Sequence, residues 1–157
     1  MLKVHPFLWF DDDAEEAMRF YCSIFPNSKV IKVSVMPEAN GEPGHIMTVE
    51  CDLDGLSVTA LNAGPGDAFN TSMSLYVETK DQAETDHYWN ALLADGGQPK
   101  PCGWLVDKFG VYWQVAPRPM LKLFDDKDRK AAGRAFAAML QMEKIELAEV
   151  ERAFRGT

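Results

Sequence analysis

The feature that most narrows what this chain folds into is an order of elements that occurs twice: a strand, a helix, then three strands. Val4 to Phe10 is a short apolar and aromatic run that stops at Asp11-Asp12-Asp13, the pattern of a buried strand. Ala14, Ala17, Met18, Tyr21, Cys22 and Phe25 then recur at helical spacing, with Asp13 and Glu16 placed as cap and third-position carboxylate, and Pro26-Asn27 ends the helix. Lys29 to Met36 reads as a strand that closes at Pro37, followed by a loop at Asn40-Gly41-Glu42-Pro43-Gly44. His45 to Leu53 and Leu56 to Leu61 make two more strands. Asp54-Gly55 joins them as a hairpin, because both residues tolerate positive φ.

After the loop Asn62 to Asp67, the same order starts again. Asn70 to Thr79 alternates as a strand, with Ser72, Ser74 and Tyr76 against Met73, Leu75 and Val77. Asp81 and Glu84 form a second cap pair before a helix carrying Tyr88, Ala91 and Leu92, which Gly96-Gly97 terminates. Short strands are predicted around Gln98 to Lys100, Gly103 to Val106 and Val111 to Ala116, with Asp107-Lys108-Phe109-Gly110 as the turn between the last two. Beyond Pro117 and Pro119 the pattern turns helical. Ala132, Ala135, Phe136, Met139 and Leu140 mark one amphipathic helix, and Leu147, Val150 and Phe154 mark a second. The expected fold is therefore α+β: paired βαβββ modules curving into open half-barrels, with two C-terminal helices. The modules span about residues 1–66 and 67–117, and 118–157 form a helical extension of the same domain.

Composition excludes several function classes. With 16 Lys and Arg against 24 Asp and Glu, the net charge is −8, which offers no footprint for nucleic acid or anionic membrane. No apolar run approaches spanning length, and the N-terminal stretch is too short for a signal peptide, so the expected location is the cytoplasm. Three cysteines, Cys22, Cys51 and Cys102, lack metal-ligand spacing and imply reduced thiols.

The residues Pro6-Phe7-Leu8-Trp9-Phe10, Ala14-Glu15-Glu16-Ala17, Ile24-Phe25-Pro26-Asn27-Ser28, Asn62-Ala63-Gly64-Pro65 and the block from Cys102 to Val115 resemble the PhnB-like family. This family is also catalogued as 3-demethylubiquinone-9 3-methyltransferase-like and sits within the vicinal oxygen chelate superfamily of glyoxalases, bleomycin-resistance proteins and dioxygenases. The tail from Met139 to Ile145 is similar to the family's usual ending. In metal-dependent members of the superfamily, each module lends histidine and glutamate to one divalent ion. The resemblance puts His5 or Pro6 at the first ligand position, and the others near Ala60 to Asn62, on Ser72 and on Gln114. Such a set holds a divalent ion poorly, so no metal and no cofactor is expected.

The resemblance leaves a small-molecule pocket between the modules, with His5, Phe7, Trp9, Asn62, Ser72, Ser74, Cys102, Trp104 and Gln114 as its candidate residues. Amides and hydroxyls at Asn62, Ser72, Ser74 and Gln114 orient a ligand or pair with one another inside a barrel. Phe7, Trp9, Trp104 and Trp113 serve as a ligand wall or as core. Cys102 is a nucleophile only if a cation such as Lys108 stabilises its thiolate, and is otherwise inert. Among the histidines, His5 is the one marked for function, ahead of His45 and His87. The alternatives are demethylubiquinone-type methyl transfer, which needs a methyl donor, and a metal-dependent lyase, isomerase or dioxygenase. No Gly-rich strand-to-helix loop for a donor is present. A homodimer is expected, built on the apolar stripe Phe136, Met139 and Leu140.

Overall fold

The computed structural model describes residues 3–37 and 44–157, so the loop expected at Asn40-Gly41-Glu42-Pro43-Gly44 lies, apart from Gly44, outside the described residues. The chain divides into two compact units, Met1–Asp67 and Ala68–Thr157.

The first unit runs β1 (Phe7–Phe10), α1 (Ala14–Ile24), β2 (Lys29–Val35), β3 (Ile46–Leu53) and β4 (Leu56–Asn62). Its sheet has the order β1-β4-β3-β2, with β1 parallel to β4 and the other pairs antiparallel. The hairpin between β3 and β4 turns where expected, with Asp54 at φ 48° and Gly55 at φ 91°. One face of α1 packs on the sheet through Ala14, Ala17, Met18 and Tyr21, all fully buried. Removing side chains as large as Met18 and Tyr21 from water stabilises by about 1.5–3 kcal/mol each.

The second unit repeats the order with β5 (Leu75–Thr79), α2 (Gln82–Leu93), β6 (Gln98–Pro99), β7 (Trp104–Val106) and β8 (Tyr112–Pro117). Its sheet order is β5-β8-β7-β6, again with one parallel pair, β5 and β8. Asp81 caps α2 by accepting from the Glu84 N–H at 2.9 Å, as its spacing predicts. The turn from Asp107 to Gly110 closes on the Asp107 side chain, whose Oδ1 accepts from the N–H groups of Phe109 at 2.9 Å and Val111 at 3.0 Å.

Three helices follow, not two: α3 (Arg118–Phe124), α4 (Arg129–Met139) and α5 (Leu147–Arg155). The extra helix, α3, starts directly after β8, and its proline lies in the first turn, where a missing N–H breaks no bond. Ala116, Met120, Ala135, Met139, Ile145 and Val150 form a common core cluster. The segment between α4 and α5 is pinned to α2. Gln82 donates to the Ile145 carbonyl at 2.9 Å and accepts from the Leu147 N–H at 2.7 Å. Lys144 reaches Asp86 at 2.7 Å and Glu146 at 2.9 Å. The hydrogen bond from Lys144 holds the Asp86 carboxyl below its usual range.

The same segment docks on the loop before β7, where the N–H groups of Cys102 and Gly103 donate to the carbonyls of Met142 and Glu143, both at 2.7 Å. Gly103 is required there. Its φ is +80°, and a Cβ would stand 2.8 Å from the Val115 carbonyl oxygen.

Candidate functional site

Side chains alternate across a strand, and residues paired in register share a face, so the pairing sorts the candidate residues by side. In the first unit, Leu8 pairs with Ala60 and Phe10 with Asn62, while Phe7 pairs with Thr59 and Trp9 with Leu61. Leu8 and Phe10 are 5% and 3% exposed, against 57% for Phe7 and 49% for Trp9. The first row is the buried face toward α1. The second is an open face.

Asn62 pairs with Phe10 at the end of the row toward α1, where it is half-buried. Its Oδ1 accepts from the Ala14 N–H at 2.8 Å, and its Nδ2 donates to the Ile46 carbonyl at 3.3 Å. Asn62 caps α1, a role the spacing had assigned to Asp13, whose side chain makes no cap bond. The structure thereby corrects the cap assignment. A cleft of about 710 Å3 opens at this end of the unit, lined by Ile46, Leu61, Asn62 and Gly64 among others.

Phe7 and Trp9 share the open face with Thr59, and His5 joins them through a 3.2 Å contact between its Nε2 and the Thr59 hydroxyl. The other ring nitrogen, Nδ1, is buried and makes no hydrogen bond among the described residues. Trp9 donates its indole N–H to the Gly64 carbonyl at 2.9 Å, so its polar edge is already occupied. His45 and His87 are both exposed.

In the second unit, Leu75 pairs with Trp113 and Val77 with Val115, and all four are buried. Trp113 belongs to this core row, its indole N–H donating to Asp107 Oδ2 at 2.8 Å, and it forms no part of an exposed aromatic wall. The opposite row carries Tyr76, Tyr112, Gln114 and Trp104, with Gln114 paired to both Tyr76 and Trp104. Gln114 donates through Nε2 to the Ser74 hydroxyl at 2.8 Å. Its Oε1 accepts nothing among the described residues and is available to an incoming donor. Partial burial, with the Glu78 charge adding to it, pushes the Tyr76 phenol up, which keeps it protonated at neutral pH.

Ser72 does not stand on this row. The strand begins at Leu75, and Ser72 sits in an exposed turn with its N–H donating to Asn70 Oδ1 at 2.8 Å. Alternation of residue type continues past the point where pairing ends. Cys102 also departs from the expected set: it has φ 66° and is packed, partly buried, against the C-terminal helical core. Lys108, the cation considered for it, lies 3.9 Å from Asp95 and 5.0 Å from the Phe109 ring centroid. Of the other thiols, Cys51 is pushed up to about 12 by burial and by its hydrogen bond with Cys22, and burial raises Cys22 as well.

Beside the open row lies a cleft of about 500 Å3, lined by Thr71, Lys100, Pro101, Trp104 and Tyr112. Of these residues, only Trp104 had been singled out from sequence. Tyr112 was legible as the residue two before Gln114 on one strand face, whereas Thr71 and Lys100, both expected within strands, fall outside β5 and β6. Among the described residues, no three His, Cys, Asp or Glu side chains come together as a metal-binding group.

The 3-demethylubiquinone-9 3-methyltransferase family model matches residues 2–116. The three C-terminal helices, including the tail likened above to the family's ending, lie outside that match. Among solved structures, the PhnB protein of Bacillus cereus, named as a candidate 3-demethylubiquinone-9 3-methyltransferase, is 31% identical, with 74% of this chain and 99% of that chain covered and a TM-score of 0.64. A Pseudomonas aeruginosa protein is 22% identical over 74% of this chain and 98% of its own, with a TM-score of 0.63. The fosfomycin resistance protein FosX of Listeria monocytogenes shares the fold at 16% identity, with 74% and 94% coverage and a TM-score of 0.53. No curated protein matches the chain. No helix among the described residues is long and apolar enough to cross a membrane. The matched span, together with the 31% identity to the PhnB protein, shows that the chain belongs to the 3-demethylubiquinone-9 3-methyltransferase family.

Proposed function

We propose that the protein binds a small organic molecule on the open face of the second sheet, without a metal ion, with Gln114 and Ser74 orienting the ligand and Trp104 flanking it. The observation that carries this is the 2.8 Å Gln114–Ser74 hydrogen bond on the row opposite the buried core, which fixes the carboxamide and leaves its Oε1 to accept. Neutral amides and hydroxyls recognise polar substituents well but are weak ligands for divalent cations. His5, Phe7 and Trp9 offer a patch on the first unit. The family's name favours another reading, methyl transfer to a quinone-like phenol. Against it, Gly64-Pro65-Gly66 leads to β5 and not to a helix N-terminus that would hold a methyl donor.

A thermal-shift screen of the whole chain against phenols, small acids and S-adenosylmethionine tests both readings. Gln114→Ala is expected to weaken binding of a small acid or phenol found in that screen about five- to thirtyfold, the cost of roughly 1–2 kcal/mol for a lost hydrogen bond. Its melting temperature should stay close to that of the parent. Unchanged affinity would overturn the proposal, and micromolar calorimetric binding of S-adenosylmethionine would put methyl transfer ahead of it.

We also infer that the chain works as a cytoplasmic homodimer. Phe136 on α4 and Leu140 just past its end remain 48% and 47% exposed, while Met139, expected in the same stripe, is buried in its own unit. Light scattering at micromolar concentration should give twice the chain mass, and a monomer there would refute the dimer.

A further inference from the structure

We infer that the ligand of the second unit is an aromatic carboxylate, with Lys100 selecting its charge; this rests on the pocket proposed above and names its substrate class. Three features of the cleft beside Gln114 support it. Two of its five lining residues are the aromatic side chains Trp104 and Tyr112, which suit a planar ring. The only charged lining residue is Lys100, a cation in a chain whose net charge is −8. Among the described residues no ion pair engages Lys100, whereas Arg118 is paired with Glu78, Lys108 with Asp95 and Lys144 with Asp86 and Glu146.

The backbone ties these groups to one place. The Lys100 N–H donates to the Trp104 carbonyl at 2.8 Å, Trp104 pairs in register with Gln114, and Gln114 bonds to Ser74. A cation, an aromatic pair and an amide acceptor are thus contributed from neighbouring strand and loop positions on one side of the sheet. The ammonium of Lys100 pairs with a carboxylate, while the Gln114 Oε1 accepts from a hydroxyl on the same ring. An acidic protein repels small anions in general, and in this cleft the Lys100 ammonium offsets that repulsion beside the aromatic walls.

The test is calorimetry on the full chain with 4-hydroxybenzoate and with 4-hydroxybenzamide, its uncharged counterpart of the same shape. The acid is expected to bind about two- to fivefold tighter than the amide, the range for an exposed ion pair, and the preference should shrink as salt is raised. Lys100→Gln should abolish the preference and Lys100→Arg should keep it, with circular dichroism melts unchanged for both because the side chain is exposed. If acid and amide bind equally, or the preference survives Lys100→Gln, the charge-selection inference is overturned while the pocket itself stands. If neither compound binds at millimolar concentration, both proposals are overturned.

Discussion

Asp107→Ala is expected to cost about 3–5 kcal/mol of folding stability, a large fraction of the roughly 5–15 kcal/mol a domain holds. Asp107 is only 3% exposed, and its carboxylate accepts three hydrogen bonds: from the Phe109 and Val111 N–H groups through Oδ1 and from the Trp113 indole N–H at 2.8 Å through Oδ2. Alanine removes these three acceptor contacts at once, at donors that include those of the buried residues Val111 and Trp113. The backbone bond from the Asp107 N–H to the Val111 carbonyl at 3.0 Å would remain, so the turn would still form but lose its tie to the core. Urea unfolding followed by tryptophan fluorescence reads the change directly. Asp107→Asn should fall between, since an amide keeps one acceptor but turns a second donor toward the N–H groups. A loss below about 1 kcal/mol for the alanine variant would show that the turn holds without the carboxylate.

What was legible in the sequence was the punctuation. Pro26-Asn27, Asp54-Gly55, Asp81 with Glu84, and the turn at Asp107 each fix a local conformation by their own chemistry, and strand-helix-strand-strand-strand appears twice between them. Helix α3 was not legible because Pro117 and Pro119 read as breakers, whereas a proline in the first helical turn fits without losing a bond. Ser72 was misplaced because alternation of side-chain type does not reveal where pairing stops. Of the site, Gln114 was recoverable from period-two alternation along β8, whereas Ser74, one residue ahead of β5, joins it through their hydrogen bond. Thr71 was not recoverable, because its nearness to Trp104 depends on contacts distant in sequence, whereas Lys100 lies in the local hairpin that leads into Trp104.

Asn62 shows how register decides the structural bonds a side chain makes, because shifting by one position in a strand moves it to the other face. Placed with Phe10 on the buried row, it makes Asn62→Ala a stability variant: about 2–3 kcal/mol is expected, combining a lost helix cap with an unpaired Ile46 carbonyl. The loss should appear in urea unfolding of the chain and as faster hydrogen exchange at the Ala14 amide and through the first turn of α1. Asn62→Asp keeps the acceptor for the Ala14 N–H and adds negative charge at a helix N-terminus, so it should recover most of the cap while still lacking the donor to Ile46. Under native conditions, ligand affinity at the second unit's open face should be the same in Asn62→Ala as in the parent, the opposite of Gln114→Ala, which should lose affinity and keep its melting temperature. An Asn62→Ala protein as stable as the parent but weakened in ligand binding would return this residue to the ligand site and refute the cap assignment.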